Sequence, residues 1–526
     1  MKKEYDVIVI GAGNGGLTAA ANCAKAGFST LLLERHNLPG GSASSFVRGR
    51  FEFETALHEL CNIGNPEKED SLDYMFRQLG AEIDWVNEDT TFRLVVPAKE
   101  GDPDAFLNED GVWVTVDARM PSGFEAFSRK LDELVPGSYE SAIKAFRLSA
   151  KMYDALDKLG GLEKGEFGGL PQLAAAVPDF MRMTSHTLNE GLDAIGMPKK
   201  AQDIFSTYWS YMGVPGGKFD LLYYLTVLHS YVDEGAGMPR LRSHELSLAL
   251  DKAIRDFGGE IWYHSEVTEV IMRNGKPAGV VVNGNKKVWG KRFICNAAPG
   301  TVWSEMLQPQ YVPEKQLRME NARTTAAALT TVYLGLNIPA EQLGFKDYSV
   351  FIAPSADSDE QYDAIVKKGF SSGYCIINCL NNVIPDCTPE GTCQLFLTTM
   401  TFGDVMAGVK PEDYKKLKTK VAKEMIETCE RALNIEITPY IEEIEIALPP
   451  TFSRYLNTPQ GTPYGYMLNL WDSLIPRTVQ FAQDQPFENF IFCGASQERG
   501  DGYGCAYYTG EKAAKLTVAA LRKEEN

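Results

Sequence analysis

Gly11, Gly13 and Gly16 stand in the run GAGNGG, with Asn14 and Gly15 between them, and Glu34 closes the next apolar run. The first glycine of such a GxGxxG allows a tight turn. The second lets backbone approach a pyrophosphate, and the third lets a helix sit close on a strand. A carboxylate at position 34 can accept hydrogen bonds from ribose hydroxyls, and its charge would repel a 2′-phosphate. These residue types at this spacing point to dinucleotide binding.

Such a loop works only if the right elements hold it. Residues 7–10 are apolar and β-branched, as a buried parallel strand requires. Residues 17–26 are alanine-rich and helical in pattern, so the helix N-terminus aims its free N–H groups at phosphate. Gly27 ends that helix, and residues 29–33 form a second strand running into Glu34.

Similar pieces recur far along the chain. A helix is expected over 246–257, with strands at 260–263, 267–271, 279–282 and 291–296 and a hairpin turn at Asn274-Gly275. A further strand is expected at 489–494, then a glycine-dotted loop and a helix over 510–521. Between these pieces, residues 124–134, 138–159 and 172–192 read as helices, and 326–337, 374–380 and 393–400 as strands. An amphipathic helix over 411–433 begins at a proline. The expected fold is α/β. A Rossmann-like dinucleotide-binding domain is discontinuous in sequence (1–70, 236–300 and 448–526), and a mixed α+β substrate domain is inserted in it (71–235 and 301–447).

Composition narrows the function classes. A chain of 526 residues suits two or three domains. A net charge of −18 argues against nucleic acid and anionic lipid as partners. No apolar run reaches membrane-spanning length, the nearest being interrupted by Asp220 and His229, although peripheral membrane contact stays open. Residue 5 already leads into a strand, which leaves no room for a cleaved leader, and scattered cysteines suit a reduced, cytoplasmic setting. Neither Cys375, Cys379, Cys387 and Cys393 nor the six histidines follow a metal-site spacing, so no metal is expected. Oligomeric state is not readable.

Four ordered stretches carry a more specific resemblance. They are the opening motif continued to ERHNLPGG, the run GRFEFETALHEL (49–60), the segment from FGGEIWYHSEVTEV to KRFICNAAP (257–299), and the C-terminal pair PPTFSRYLNTPQGTPYG and NFIFCGASQERGDGYGCAYYTGEKAA. With these the chain resembles the phytoene desaturase family within the amine-oxidase-like flavoproteins, which includes carotenoid desaturases, carotenoid isomerases and retinol saturases. The resemblance spans the whole chain. It implies tightly bound FAD, with Arg35, Gly40, Gly41, Val267, Gly494 and Gly502 joining the opening glycines and Glu34 around it. No second complete GxGxxG provides a separate nicotinamide site.

The same resemblance implies an oxidoreductase acting on carbon–carbon bonds of a lipophilic molecule by desaturation, saturation or isomerisation. Flavin amine oxidation and a non-catalytic lipid-escort role are the alternatives. The aromatic run 205–232 reads either as core or as the wall of a substrate tunnel. Two departures from the family pattern stand out. Pro239-Arg240-Leu241-Arg242 replaces a Pro-x-Gly-Gly, and Glu498-Arg499-Gly500-Asp501-Gly502 replaces a His-Pro-Gly-Gly-Gly. The resemblance places both beside the flavin. Arg242 or Arg499 could then hold a carboxylate or carbonyl end of the substrate, or simply bridge to Glu498 or Asp501. Tyr503, Tyr507 or Tyr508 could donate a proton. His58 is a weaker candidate, since a lone histidine is more often structural.

Overall fold

A computed structural model describes the chain except for residues 1–3, 65–70, 164–174, 176–177, 184, 234, 479–484, 501 and 526. The opening strand β1 (Tyr5–Ile10) is followed by helix α1 (Asn14–Lys25) and strand β2 (Thr30–Leu33). β1 lies parallel to β2 on one side and to the strand Lys286–Cys295 on the other. Phe490–Phe492 pairs with Lys286–Cys295, and Glu260–Trp262 pairs with β2, both in parallel. The antiparallel strands Val267–Arg273 and Lys276–Val282 complete a seven-stranded sheet. Its pieces come from three distant stretches of the chain. Helices α1, Ser243–Asp256 and Tyr503–Glu525 lie together, α1 touching both of the others.

An antiparallel hairpin, β3 (Ser45–Arg48) and β4 (Phe51–Glu54), leads out of this unit. A three-stranded sheet follows, with Ala236–Pro239 between Leu60–Cys61 and Trp85–Glu88. A second large sheet of eight strands runs in the order Ile441–Ala447, Ala328–Leu336, Cys393–Thr401, Cys375–Cys379, Ser349–Ile352, Thr90–Pro97, Trp113–Pro121 and Phe106–Leu107. All its pairs are antiparallel except Ser349–Ile352 with Thr90–Pro97.

Both faces of this sheet are covered. Val421, Met425, Ile426 and Cys429 of the helix Tyr414–Leu433 pack on Val332, Leu334 and Leu395. The opposite face, including Tyr333, Phe351 and Phe396, meets the helical block. Both faces being covered, every residue of Ala328–Leu336 is buried, and the strand shows no inside–outside alternation.

The elements expected from sequence are present with small shifts of boundary. The helix Phe124–Leu134 has the expected limits, while the last helix begins at Tyr503, earlier than residue 510. Residues 411–413 form a 3₁₀ turn ahead of the Tyr414–Leu433 helix. Residues 172–192 lie partly outside the described residues. The described part holds two helices, Pro178–Met183 and Leu188–Ala194, and Thr187 starts the second with a reciprocal capping box to Glu190.

Candidate functional site

The glycine turn forms as its chemistry requires. Gly11 has φ +90°, a conformation few other residues adopt. A Cβ on Gly16 would lie 1.9 Å from the Gly11 carbonyl oxygen, so only glycine lets α1 pack on β1 here. Gly15 is closed in the same way by the backbone N of Gly494, 2.9 Å from where its Cβ would be. The Ala12 N–H donates to one oxygen of Glu34 and the His36 N–H to the other, each at 2.7 Å. Glu34 thereby fixes the loop it faces, and each oxygen keeps a lone pair free for a ribose hydroxyl. Gly40 donates its N–H to the Ala12 carbonyl at 2.7 Å, which brings the Gly40-Gly41 turn alongside Gly13.

These contacts bound a cleft with about 1590 Å³ of empty space. Gly11, Gly13, Asn14, Glu34, Arg35, Gly40, Gly41, Val267, Gly494 and Gly502 all line it. Gly15 and Gly16 lie behind that surface as packing contacts. One end is walled by Glu34, Arg35 and Ser265 to Val267, held together by the Ser265 N–H to the Glu34 carbonyl at 2.7 Å. The other is walled by Ala56, Thr325, Leu329, Tyr464, Gly502 and Tyr503. One feature fits an anionic dinucleotide: Gly13 leaves the α1 N-terminus without a side-chain cap, so its N–H groups stay free to donate. The buried Asn14 Oδ1, an acceptor with no partner among the described residues, suits a donor such as a hydroxyl.

Of the arginines and tyrosines expected to act on substrate, Tyr503 lines the cleft. Its hydroxyl donates to the Ser42 carbonyl at 2.7 Å, and burial holds its pKa well above the usual tyrosine range. Tyr507 is fully buried, edge-on to Phe76, away from the cleft lining. Arg242 is buried, and its guanidinium bonds Glu52 at 2.8 Å, while its backbone (φ +66°) starts the helix Ser243–Asp256. Arg499 is exposed and lies over the Tyr508 ring at 4.8 Å. Glu498 pairs with Lys512 at 3.1 Å rather than with either arginine, and Asp501 lies outside the described residues. His58 is half-buried with Nε2 3.0 Å from Thr398 Oγ1, and desolvation lowers its pKa to about 4, so the ring is neutral.

Opposite results are expected from the two arginines. Arg499→Ala changes stability by no more than about 0.5 kcal/mol, as for an ordinary surface site. Arg242→Ala costs about 1–2 kcal/mol because it strips the partner from Glu52 and empties a buried volume. Urea midpoints read beside bound-flavin absorbance check both.

Sequence reading singled out none of several further lining residues. Asn296 supports the loop from beneath, where a Cβ on Gly13 would come 2.4 Å from its Nδ2. Thr462 to Tyr466 curve back over the cleft, and Ala326 N–H donates to Gly465 O at 3.0 Å. The signal was present, since both lie in NAAP and TPQGTPYG, stretches quoted above for their resemblance. Glu54 went unnoticed too. Fully buried, it accepts from Ser243 N (2.9 Å), Ser243 Oγ (2.7 Å), Leu57 N (3.1 Å) and Ala56 N (3.3 Å). It thus ties the cleft wall at Ala56 to the start of the Ser243–Asp256 helix. Burial outweighs these donors and raises its pKa.

Residues 9–75 match the family model of the NAD(P)-binding Rossmann-like domain. A prolycopene isomerase of Daucus carota is 22% identical over 485 residues, covering 88% of this chain and 74% of that protein. An all-trans-retinol 13,14-reductase of Macaca fascicularis is 22% identical over 548 residues, covering 99% of this chain and 86% of that protein. Among solved structures, a putrescine oxidase variant superposes with a TM-score of 0.63 at 13% identity, covering 98% of this chain and 99% of its own, which is a likeness of fold. The cleft is that of a dinucleotide on a Rossmann-like domain, and the chain is an oxidoreductase-type enzyme related to carotenoid isomerases and retinol reductases on an amine-oxidase-like fold.

Proposed function

We propose that the chain holds FAD in this cleft and acts on a carbon–carbon double bond of a lipophilic polyene, by isomerisation or reduction. The carrying observation is the cleft itself. A glycine cradle and ribose acid close one end, and the other reaches Ala56, Leu329 and Tyr503, at the border of the eight-stranded sheet. We assign residues 1–70, 236–300 and 448–526 to the flavin domain and the remainder to the substrate domain.

Bound FAD would supply hydride exchange at a ring nitrogen. The chain's own residues do the rest. The α1 N-terminus takes the pyrophosphate, and Glu34 takes a ribose. Ala56, Leu329 and Tyr464 exclude water from the far end. Tyr503 stays protonated beside the cleft, its proton held on the Ser42 carbonyl. The alcohol or hydrocarbon character of the related enzymes' substrates enters here as support by relationship, since one relative is named for prolycopene and another for retinol.

The test is a purified preparation. It should be yellow and release FAD on denaturation. Under anaerobic conditions with dithionite-reduced flavin, a C20 polyene should give a dihydro or isomerised product on chromatography. Colourless protein removes the cofactor reading. Bleaching by primary amines with no change in polyenes moves the activity to amine oxidation.

A further inference from the structure

Two buried carboxyl groups in the substrate region have no role in the chemistry above. Glu59 precedes the strand Leu60–Cys61, and Glu88 ends the strand Trp85–Glu88. Both strands flank Ala236–Pro239, where Ala236 pairs with Cys61 on one side and Glu88 on the other. Glu59 is 4% and Glu88 6% exposed. Neither forms an ion pair with a basic residue among the described residues.

Tyr211 donates its hydroxyl to Glu59 Oε1 at 2.6 Å. Among the described residues, the second oxygen of Glu59 and both oxygens of Glu88 receive no other hydrogen bond. Tyr208 stands beside Glu59, but its hydroxyl is committed to the Thr91 carbonyl at 2.7 Å. The nearby Tyr348 hydroxyl is likewise committed, to the His58 carbonyl. Two adjacent carboxyls in an apolar interior share a proton, because the second charge is too costly. Burial raises both, Glu59 to about 7 and Glu88, which the neighbouring Glu59 also repels, well above its usual range, so near pH 7 Glu88 keeps its proton and the pair carries at most one charge.

A second, independent observation lies on the facing sheet. Asn378 is fully buried, on the sheet face that also carries Phe351, Phe396 and Thr398, and neither its amide oxygen nor its amide nitrogen has a partner. Tyr211 packs against Phe351 with ring centroids 5.4 Å apart, and His58 lies 3.0 Å from Thr398, so the acids and this face border one interior region. Unpartnered buried polar groups destabilise a fold, and a set of them marks a place where something else supplies the partners.

We propose that Glu59 and Glu88 are a recognition site for the alcohol end of a long unsaturated substrate. This inference rests on the polyene reading above. A hydroxyl both donates to a free carboxyl oxygen and accepts the shared proton. A carboxylate end would be repelled, and a hydrocarbon end would leave the oxygens unpartnered. The reach is suitable. Ala56 lines the cleft and Glu59 is three residues on, a span of at most about 11 Å of extended chain.

The test uses flavin-loaded protein and three probes: retinol, its methyl ether and retinylamine. Binding is read from the flavin absorbance shift. Wild type should bind the alcohol at least tenfold more tightly than the ether. The double variant Glu59→Leu with Glu88→Leu should bring the two probes within twofold, with flavin content unchanged and the thermal midpoint equal or higher, because no unpartnered acid remains buried. A purely structural pair would instead lower the midpoint and leave the preference intact. The wild-type comparison needs no variant, so a variant that fails to fold does not spoil the test. Equal binding of alcohol and ether overturns this inference alone. Tighter binding of the amine than of the alcohol replaces it with a cation site. Flavin-loaded protein that binds none of the three overturns the polyene reading and this inference with it.

Discussion

Gly510→Val yields protein without bound flavin. A Cβ at this position would lie 2.2 Å from the Gly15 carbonyl oxygen and 2.9 Å from Gly15 Cα. Those atoms are backbone in the turn that cradles the pyrophosphate, so no side-chain rotation relieves the clash. The Tyr503–Glu525 helix must back away from α1, and Gly494, held by Thr509 Oγ1 at 2.9 Å, moves with it. Overpacking commonly costs 1–3 kcal/mol, and a backbone-on-backbone collision belongs at or above about 3 kcal/mol. Gly504→Ala in the same helix is the control. Its Cβ would meet Leu72 Cδ1 at 3.9 Å, ordinary contact, and alanine should gain up to about 1 kcal/mol of helix propensity. The ratio of flavin to protein absorbance separates the two variants. A yellow Gly510→Val protein of normal stability would mean the two helices do not meet as described.

Glu54 is the second position where a small change has a large effect. Glu54→Gln keeps the shape but must turn its NH₂ toward a donor, because Ser243 N approaches one oxygen and three donors approach the other. At least one buried donor then faces another, a cost of about 1–3 kcal/mol. Glu54→Leu orphans all the donors and should cost about 4 kcal/mol or more. Because Ala56 walls the cleft two residues on, flavin release should shift to lower denaturant together with unfolding. Denaturation followed by flavin fluorescence and by far-UV circular dichroism measures both. Flavin release unchanged in Glu54→Leu would detach this carboxylate from the cofactor wall.

The local part of the architecture was legible because local rules set it. GAGNGG, the alanine-rich helix after it and Glu34 lie within one short stretch, and each residue there has a steric or hydrogen-bonding reason. The parallel strands were readable for the same reason: burial on both faces makes them apolar throughout. What escaped was decided by pairing across the chain. Thr90–Pro97 carries Arg93 toward Asp110, Asp117 and Asp347, and it joins Ser349–Ile352 from more than two hundred residues away. No periodicity announces such a partner. Arg242 and Arg499 show the same limit. Their charge was visible in sequence, but that Glu52 neutralises one and solvent bathes the other follows from how β4 and the last helix pack. Glu59 and Glu88 look like ordinary surface acids in ALHELC and WVNEDT, and only burial distinguishes them.

The contact between Gly15 and Gly510 also sets a clock. The phosphate cradle is made first, and the helix that closes behind it emerges about 500 residues later. At roughly 5–20 residues per second, the ribosome takes on the order of 25–100 s to supply it. During that interval β1 can pair with β2 and then with Lys286–Cys295, while the place of Phe490–Phe492 beside that last strand stays unfilled. Flavin capture is therefore a late event in the life of each molecule. A nascent chain halted before residue 490 should emerge pale, waiting with its apolar strand edge open, and is the form most in need of a chaperone.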